Sequence, residues 1–464
     1  MAPLRNDALD AALARARWTS RDLIRELNPR LDAIGEPRLH LSAAHHWTTG
    51  SVPRNAAVRR LTAAVLSEAT TFPITSEDLW PQAAAPTARS ELSATSGLTQ
   101  RRSLDQVLAT ATAWARTSPE EQAALHPAPE DDLFTAAWDA TRQGAAELHL
   151  RRSSDRVVPP LMDLLDGHLR ELRRLDDRAG GGALSQRYVH TALGAVLDLL
   201  RHSQYTEPIG RRLLANAAGL AQLAGWMAFD AGLAPAAHRH QLLAIRLARS
   251  TGDAATVGNA LGMLAYQHAA ANRPAAAVRF AEAAVDHTSR CAPIVRARAA
   301  GRLATARAAA GDLTGYRAAS DTCRQLLQHR RPDDPASLYY LTPQQVDAEA
   351  GAALVDLAAT ATRARPLLTE AINLLTPLAE QGPHGGYLRS AVLHGTHLAR
   401  AHLMARDAES AAQTLGQVAG AVPHVQSIRC RRRLERLRSE AAVQLRGSRR
   451  TDALSAVDAA LSAP

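Results

Sequence analysis

The feature that most constrains this chain is a recurrence of 39 residues in its alanine-rich centre. Leu264 and Leu303, Asn272 and Gly311, and Ala284 and Cys323 each stand 39 positions apart. Within one unit, Leu261, Leu264, Ala265 and His268 share a face at helical period. Asn272-Arg273-Pro274 then makes a turn, and Ala277, Ala281 and Ala284 face back from a second helix. Such a pair cannot bury its apolar face alone, so it must stack on others like it, and a run of pairs builds a curved array with a concave groove. Weaker units fit residues 213–250 and 388–420, the latter through Leu398, Ala399, Ala411 and Leu415.

Composition agrees with an all-α chain. Of 464 residues, 46% are hydrophobic but only 4% aromatic, so the core must be built from Leu, Ala and Val. Ala and Leu favour helix, and the alternating β-branched pattern of strands is nearly absent. Three cysteines without CxxC spacing argue against a disulfide framework or a thiolate metal site. The N-terminus lacks the apolar stretch of a signal peptide, and no apolar run approaches the roughly 20 residues of a membrane span. A cytoplasmic location without membrane association is expected. The net charge is +9, and every basic residue is arginine. The excess gathers near the C-terminus, in SIRCRRRLERLRSE and RGSRR. A basic helix there could touch nucleic acid or an acidic partner. The plainer reading is a solvated face on which Glu435 and Glu440 pair with Arg at helical spacing.

Residues 1–80 read as a compact helical unit. A helix from Asn6 to Arg17 carries Leu9 and Leu13. Thr19 caps a second helix, with Leu23, Ile24 and Leu27, which Asn28-Pro29 should stop. Ser42 can cap a short third helix, AAHHW, that ends at Gly50 and Pro53. A fourth, from Asn55 to Glu68, turns Val58, Leu61, Val65 and Leu66 inward, and Thr75 caps a last short turn. Residues 81–99, rich in Ala, Ser, Thr and Pro, form a linker. An irregular helical region, 100–160, follows with helices at 103–116 and 131–150. The repeat domain spans 161–464. It begins with a long helix near Pro160, which Gly180-Gly181-Gly182 ends.

The pairing scheme of the centre is that of tetratricopeptide repeats, lengthened from their usual period of about 34 residues. The N-terminal stretches TSRDLIREL, LSAAHHWTTG and VPR resemble the helix-turn-helix of actinobacterial regulators related to the XRE (Cro/repressor-like) class. His46 and Trp47 match a His-Trp pair at the end of the family's recognition helix, and Gly50 and Pro53 match the turn after it. LDDRAGGGALSQRY and LLANAAGLAQLAGWMAFDAG are similar to the helical region that joins that domain to a tetratricopeptide-like C-terminal domain. The resemblance covers nearly the whole chain and is most specific over 160–250. It implies an all-α fold, a helix-turn-helix DNA-binding domain followed by a tetratricopeptide-like α-solenoid. It also implies a homodimer on double-stranded DNA, sensing a peptide, small-molecule or protein effector.

The recognition helix departs from the family's polar and basic pattern, with Ala43, Ala44, Thr48 and Thr49. Ser42, His45 and His46 are left to reach base edges, with His40 and Thr49 beside them. Arg30, Arg38, Arg54, Arg59 and Arg60 flank the helix as candidate phosphate contacts, which position a protein without specifying sequence. Two functions therefore stand: a DNA-binding transcriptional regulator, or a protein-interaction scaffold with a vestigial helix-turn-helix. By analogy with similar regulators, Asn216, Asn259, Tyr266, Gln267, Arg296 and Arg298 are the candidate effector-binding residues of the groove.

No enzyme, cofactor or metal site is expected. The GGG run lacks the Lys-Ser/Thr of a phosphate loop and follows no strand. His394, His397 and His402 share a helix without an acidic ligand at metal spacing, so solvent-facing or groove-lining histidines are expected. His238 and His240, two apart, point to different faces. Cys323 sits in a small-residue packing slot, as a buried thiol. Trp18 and Trp47 stand at helix boundaries beside apolar positions, which suits core packing.

Overall fold

The computed structural model describes residues 5–33, 36–53, 55–70, 72, 74–80, 103–117, 119–142, 144, 148, 155–381 and 387–462. The expected linker over 81–99 and Arg54 lie outside the described residues. Among those described, the chain is helical throughout, with one isolated bridge between Arg156 and Gln204 and no strand. No described helix is long and apolar enough to cross a membrane. The chain divides into two compact units, residues 1–96 with 124–127, and 97–123 with 128–464.

The first unit begins with α1 (Asp7–Ala16), capped by Asn6, whose side chain accepts the Leu9 amide. In α2 (Ser20–Ala33), Thr19 and Asp22 cap reciprocally: Asp22 accepts the Thr19 amide, and the Asp22 amide donates to the Thr19 hydroxyl. Asn28-Pro29 does not stop this helix, contrary to expectation. Pro29 forfeits one backbone bond. Leu31, fully buried, holds the turn beyond it, and the Asn28 amide clamps both backbone groups of Leu39, at 3.1 and 2.8 Å.

Next come α3 (Ala43–Thr48), α4 (Ala56–Thr70) and α5 (Ser76–Leu79). Thr75 and Asp78 form the expected cap of α5. Ser42 does not cap α3; its hydroxyl instead lies 2.8 Å from His40 Nδ1. Leu9, Leu23, Ile24, Leu27, Leu31 and Leu66 form a core around Trp47, which meets Trp80 edge-on at 6.0 Å. Trp18 packs half-buried on the same core.

The second unit opens with α6 (Leu104–Ala115), α7 (Pro119–Ala123) and α8 (Glu130–Arg142). The helix expected over 131–150 is thus shorter at its C-terminal end. α6 and α8 share a core with α9 (Pro159–Ala179), α10 (Ala183–His202) and the helices that follow. Pairs then succeed one another: α11 (Glu207–Asp230) with α12 (Ala234–Thr251), α13 (Ala254–Ala270) with α14 (Pro274–Thr288), and α15 (Pro293–Ala309) with α16 (Leu313–Leu327). α17 (Pro343–Ala358) pairs with α18 (Ala364–Gln381), and α19 (Leu388–Met404) with α20 (Ala408–Ala421). α21 (Ile428–Gln444) and α22 (Gly447–Ser462) close the chain. The 39-residue recurrence has a direct cause. Asn272 (φ 57°) and Gly311 (φ 74°) hold the same left-handed turn position between paired helices, and Arg406 (φ 61°) holds it again between α19 and α20. Asn and Gly tolerate that conformation best.

The concave side is not an open groove. α9 packs on both α11 and α19, and α11 packs on α21, so early and late helices of the unit meet. α9, α11, α13, α15, α17, α19 and α21 enclose a common interior. The basic helix α21 is correspondingly not a solvated face. Arg429 reaches inward to Asp230, Arg433 reaches His397, and Arg438 pairs with Asp458 of α22. Glu440 accepts from Arg400 of α19 rather than from an arginine of its own helix.

Candidate functional site

The first unit presents a short helix with a sorted surface. Ala44, Trp47 and Thr48 of α3 face the core, while His45 and His46 are exposed, flanked by exposed Ser42 and Thr49. The Thr49 hydroxyl donates to the carbonyls of His45 and His46, which ties it to the helix end. His40 is exposed beside Ser42. Three of the arginines named around the helix are engaged. Arg30 pairs with Glu68 at 2.8 Å, Arg38 grips Asp32 bidentately, and Arg59 donates to the Pro53 carbonyl at 2.6 Å. Ion pairs as exposed as the first two contribute little, because water competes for both partners. A phosphate can compete for the guanidinium in the same way.

The second unit holds a cavity of about 110 Å³ inside its ring of helices. One end is acidic. Arg389 Nη1 donates to Asp176 at 2.8 Å and lies 3.9 Å from Asp230, and Nη2 is 3.4 Å from Asp177. Arg429 donates to Asp230 at 3.0 Å and to the Tyr266 hydroxyl at 3.0 Å. The two guanidiniums also lie against the Trp226 ring, 5.2 and 4.8 Å from its centroid, as cation–π contacts. The Tyr339 hydroxyl donates to Asp177. Burial and the neighbouring carboxylates of Asp230 and Asp177 push Asp176 up to about 6, despite Arg389. Burial works against the Arg389 charge, but the surrounding carboxylates outweigh it and hold the group firmly protonated.

The other end is basic. Arg298 grips Glu349 with both terminal nitrogens, at 3.1 and 2.6 Å, while Arg302 comes no nearer to that carboxylate than 3.9 Å. Burial pushes the Glu349 carboxyl up, yet the two guanidiniums overcome it and hold it well below the usual range. Arg302 lies 4.4 Å from the Tyr266 ring centroid. Burial, then the Arg298 charge, lower its pKa.

Of the six expected groove residues, the ring brings Asn259 and Tyr266 to the cavity wall. Asn216 is buried and donates to Asp166, Gln267 is buried off the wall, and Arg296 is exposed. Arg298 stands just behind the wall, bound to Glu349. Neither His394 nor His397 faces solvent. His394 lines the cavity, where burial lowers it to about 4, so it is neutral near pH 7. His397 is buried, and its Nε2 lies 2.7 Å from Arg433. His238 stacks on His268 and His240 lies against His190, each on its own side of α12. Cys323 is buried, which raises its thiol to about 11. Among the described residues, no cluster of three or more His, Cys, Asp or Glu is arranged to hold a metal ion.

Arg302, Arg389, Asp176, Asp230 and Trp226 were not singled out by sequence reasoning. A partial signal existed. Asp230 interrupts the apolar run WMAFDAG, and Arg298 and Arg302 stand four apart on one helical face with Ile294, Val295 and Gly301. A wider cleft of about 1390 Å³ runs beside α10, walled by small residues such as Gly181 and Gly194 together with Arg187, His190, Asp198 and Arg431. No family model, no curated protein and no solved structure matches this chain.

Proposed function

We propose that the chain is a DNA-binding transcriptional regulator. Residues 1–80 serve as a helix-turn-helix domain, and a tetratricopeptide-like array dimerises and senses an effector. One observation carries the reading. α3 buries Ala44 and Trp47 while exposing Ser42, His45, His46 and Thr49, with arginines on both sides in the sequence. A recognition helix needs that division: an apolar anchor and a polar face free to enter the major groove. The resemblance to XRE-like regulators supports it. A two-fold operator needs two such helices about one turn of DNA apart, so one domain per chain implies a homodimer. The operating location is the cytoplasm, on the nucleoid when bound to DNA. The test is a gel shift and footprint with the full chain across its own promoter region. A protected half-site pair is expected. No binding at low salt, with circular dichroism showing the protein folded, would overturn the reading.

A second reading, an interaction scaffold with a vestigial helix-turn-helix, draws on the alanines of α3 and the self-paired Arg30 and Arg38. It predicts that affinity capture recovers a protein partner, that Arg296→Ala, at an exposed member of the expected groove set, weakens the capture, and that Arg38→Ala does not. Capture unchanged by Arg296→Ala counts against it.

A further inference from the structure

We propose that the interior cavity of the second unit binds a small organic monoanion, a carboxylate carried on a flat apolar body. Calling that anion the effector rests on the regulatory reading above; its binding does not.

The charges on the cavity wall do not balance among the described residues. On the wall itself four guanidiniums, Arg173, Arg302, Arg389 and Arg429, face three carboxylates, Asp176, Asp177 and Glu349. Behind it Arg298 grips Glu349, Asp230 takes Arg389 and Arg429, and Asp253 acts on Arg173 from off the wall. The wall thus carries one more guanidinium than carboxylate. A buried cation without a close counter-charge is costly.

The surplus can be located. Arg302 is 5% exposed, its Nε has no acceptor, and its closest carboxylate oxygen, at 3.9 Å, already belongs to Arg298. Its other polar neighbour is the Met263 sulfur at 3.7 Å, a weak acceptor. Arg173, on the same wall, makes no hydrogen bond or close ion pair among the described residues, and Asp177 and Asp253 act on its charge only from a distance. Both groups offer planar N–H pairs of the geometry a carboxylate takes bidentately.

The rest of the wall selects the ligand body. Trp226, Tyr266 and Tyr340 give flat apolar surface, and the cavity of about 110 Å³ has room for roughly four waters at about 30 Å³ each. Benzoate has that size, that shape and one negative charge. A dianion would overshoot the single surplus charge and meet Glu349 and Asp177. An amine would add a second unpaired cation.

The test titrates the purified full chain, without DNA, by calorimetry and thermal melting. Benzoate is the probe. Benzamide, benzylamine and inorganic phosphate are the comparators. Saturable benzoate binding is expected, with benzamide and benzylamine at least tenfold weaker and phosphate giving no heat. Arg302→Gln should weaken benzoate at least tenfold. Because Arg302 is buried, Arg173→Gln is the second variant, with Arg212→Gln, paired to Asp163 and Asp166, as the control that leaves binding intact. Three results would overturn the proposal: no benzoate binding by folded protein, benzamide or phosphate binding as tightly, or unchanged affinity in a folded Arg173→Gln. None of these depends on DNA, so a failed gel shift and a failed titration remain distinguishable.

Discussion

Asp176→Asn should change how stability depends on pH, in a direction opposite to the usual carboxylate. Asp176 is 2% exposed and shares Arg389 with Asp177 and Asp230. Its folded-state pKa of about 6 stands above the unfolded value of 3.8. The folded state therefore holds the proton more tightly. The stability this group contributes is fully present below pH 3.8 and is lost as pH rises through about 6. The full span of that loss is about 3 kcal/mol, of which about 2 kcal/mol falls between pH 4.5 and 7.5.

An asparagine in its place would have the same shape and no proton to lose, while Arg389 would keep Asp177 and Asp230 as counter-charges. The gain of the variant over the wild type should thus grow by about 2 kcal/mol from pH 4.5 to 7.5. Urea midpoints by circular dichroism at several pH values measure it, and the difference between the two proteins cancels the titrating groups that do not interact with Asp176. A difference that stays flat, or shrinks as pH rises, would show that Asp176 does not hold its proton in the folded state.

Other outcomes follow from single contacts. Trp47→Ala removes the ring on which the first unit is built, 6% exposed and edge-on to Trp80. It should cost that unit about 3–5 kcal/mol, read by hydrogen exchange of its amides. A thiol reagent at pH 8 should modify Cys291 first, because burial raises all three thiols but only Cys291 is half-buried, while Cys323 and Cys430 are closed off from the reagent. Peptide mapping checks the order. If Arg30, Arg38, Arg54, Arg59 and Arg60 of both protomers are the phosphate contacts, log K against log salt should fall with a slope of about −9. Arg38→Ala, which removes one contact from each protomer, should reduce that slope by about 2.

The helix pairs were legible because their cause is local. Leu264 and Ala281 recur at helical period, and Asn272 and Gly311 mark a turn that needs a left-handed residue. Caps were legible for the same reason at Thr19 and Thr75, but not at Ser42, whose hydroxyl is taken by His40. Pro29 misled, since Leu31 and the Asn28 clamp hold a turn that proline alone would end. The curvature of the array was not legible. The ion pair of Arg389 with Asp176 closes the ring across 213 positions, and no local pattern encodes such a contact. The same gap hid the true setting of α21, whose Arg429 looked like one more solvated charge until Asp230 stood opposite it. Only Asn259 and Tyr266 among the expected groove residues reached the cavity wall, because register around a closed ring depends on that same curvature.

Whether this chain acts on DNA is decided by genome-wide binding profiling of the tagged protein, with a His46→Ala/Arg38→Ala variant of equal abundance as control. Discrete peaks that the variant loses are expected of a regulator that reads its operator through α3. A profile without peaks, or peaks identical in the variant, would contradict it.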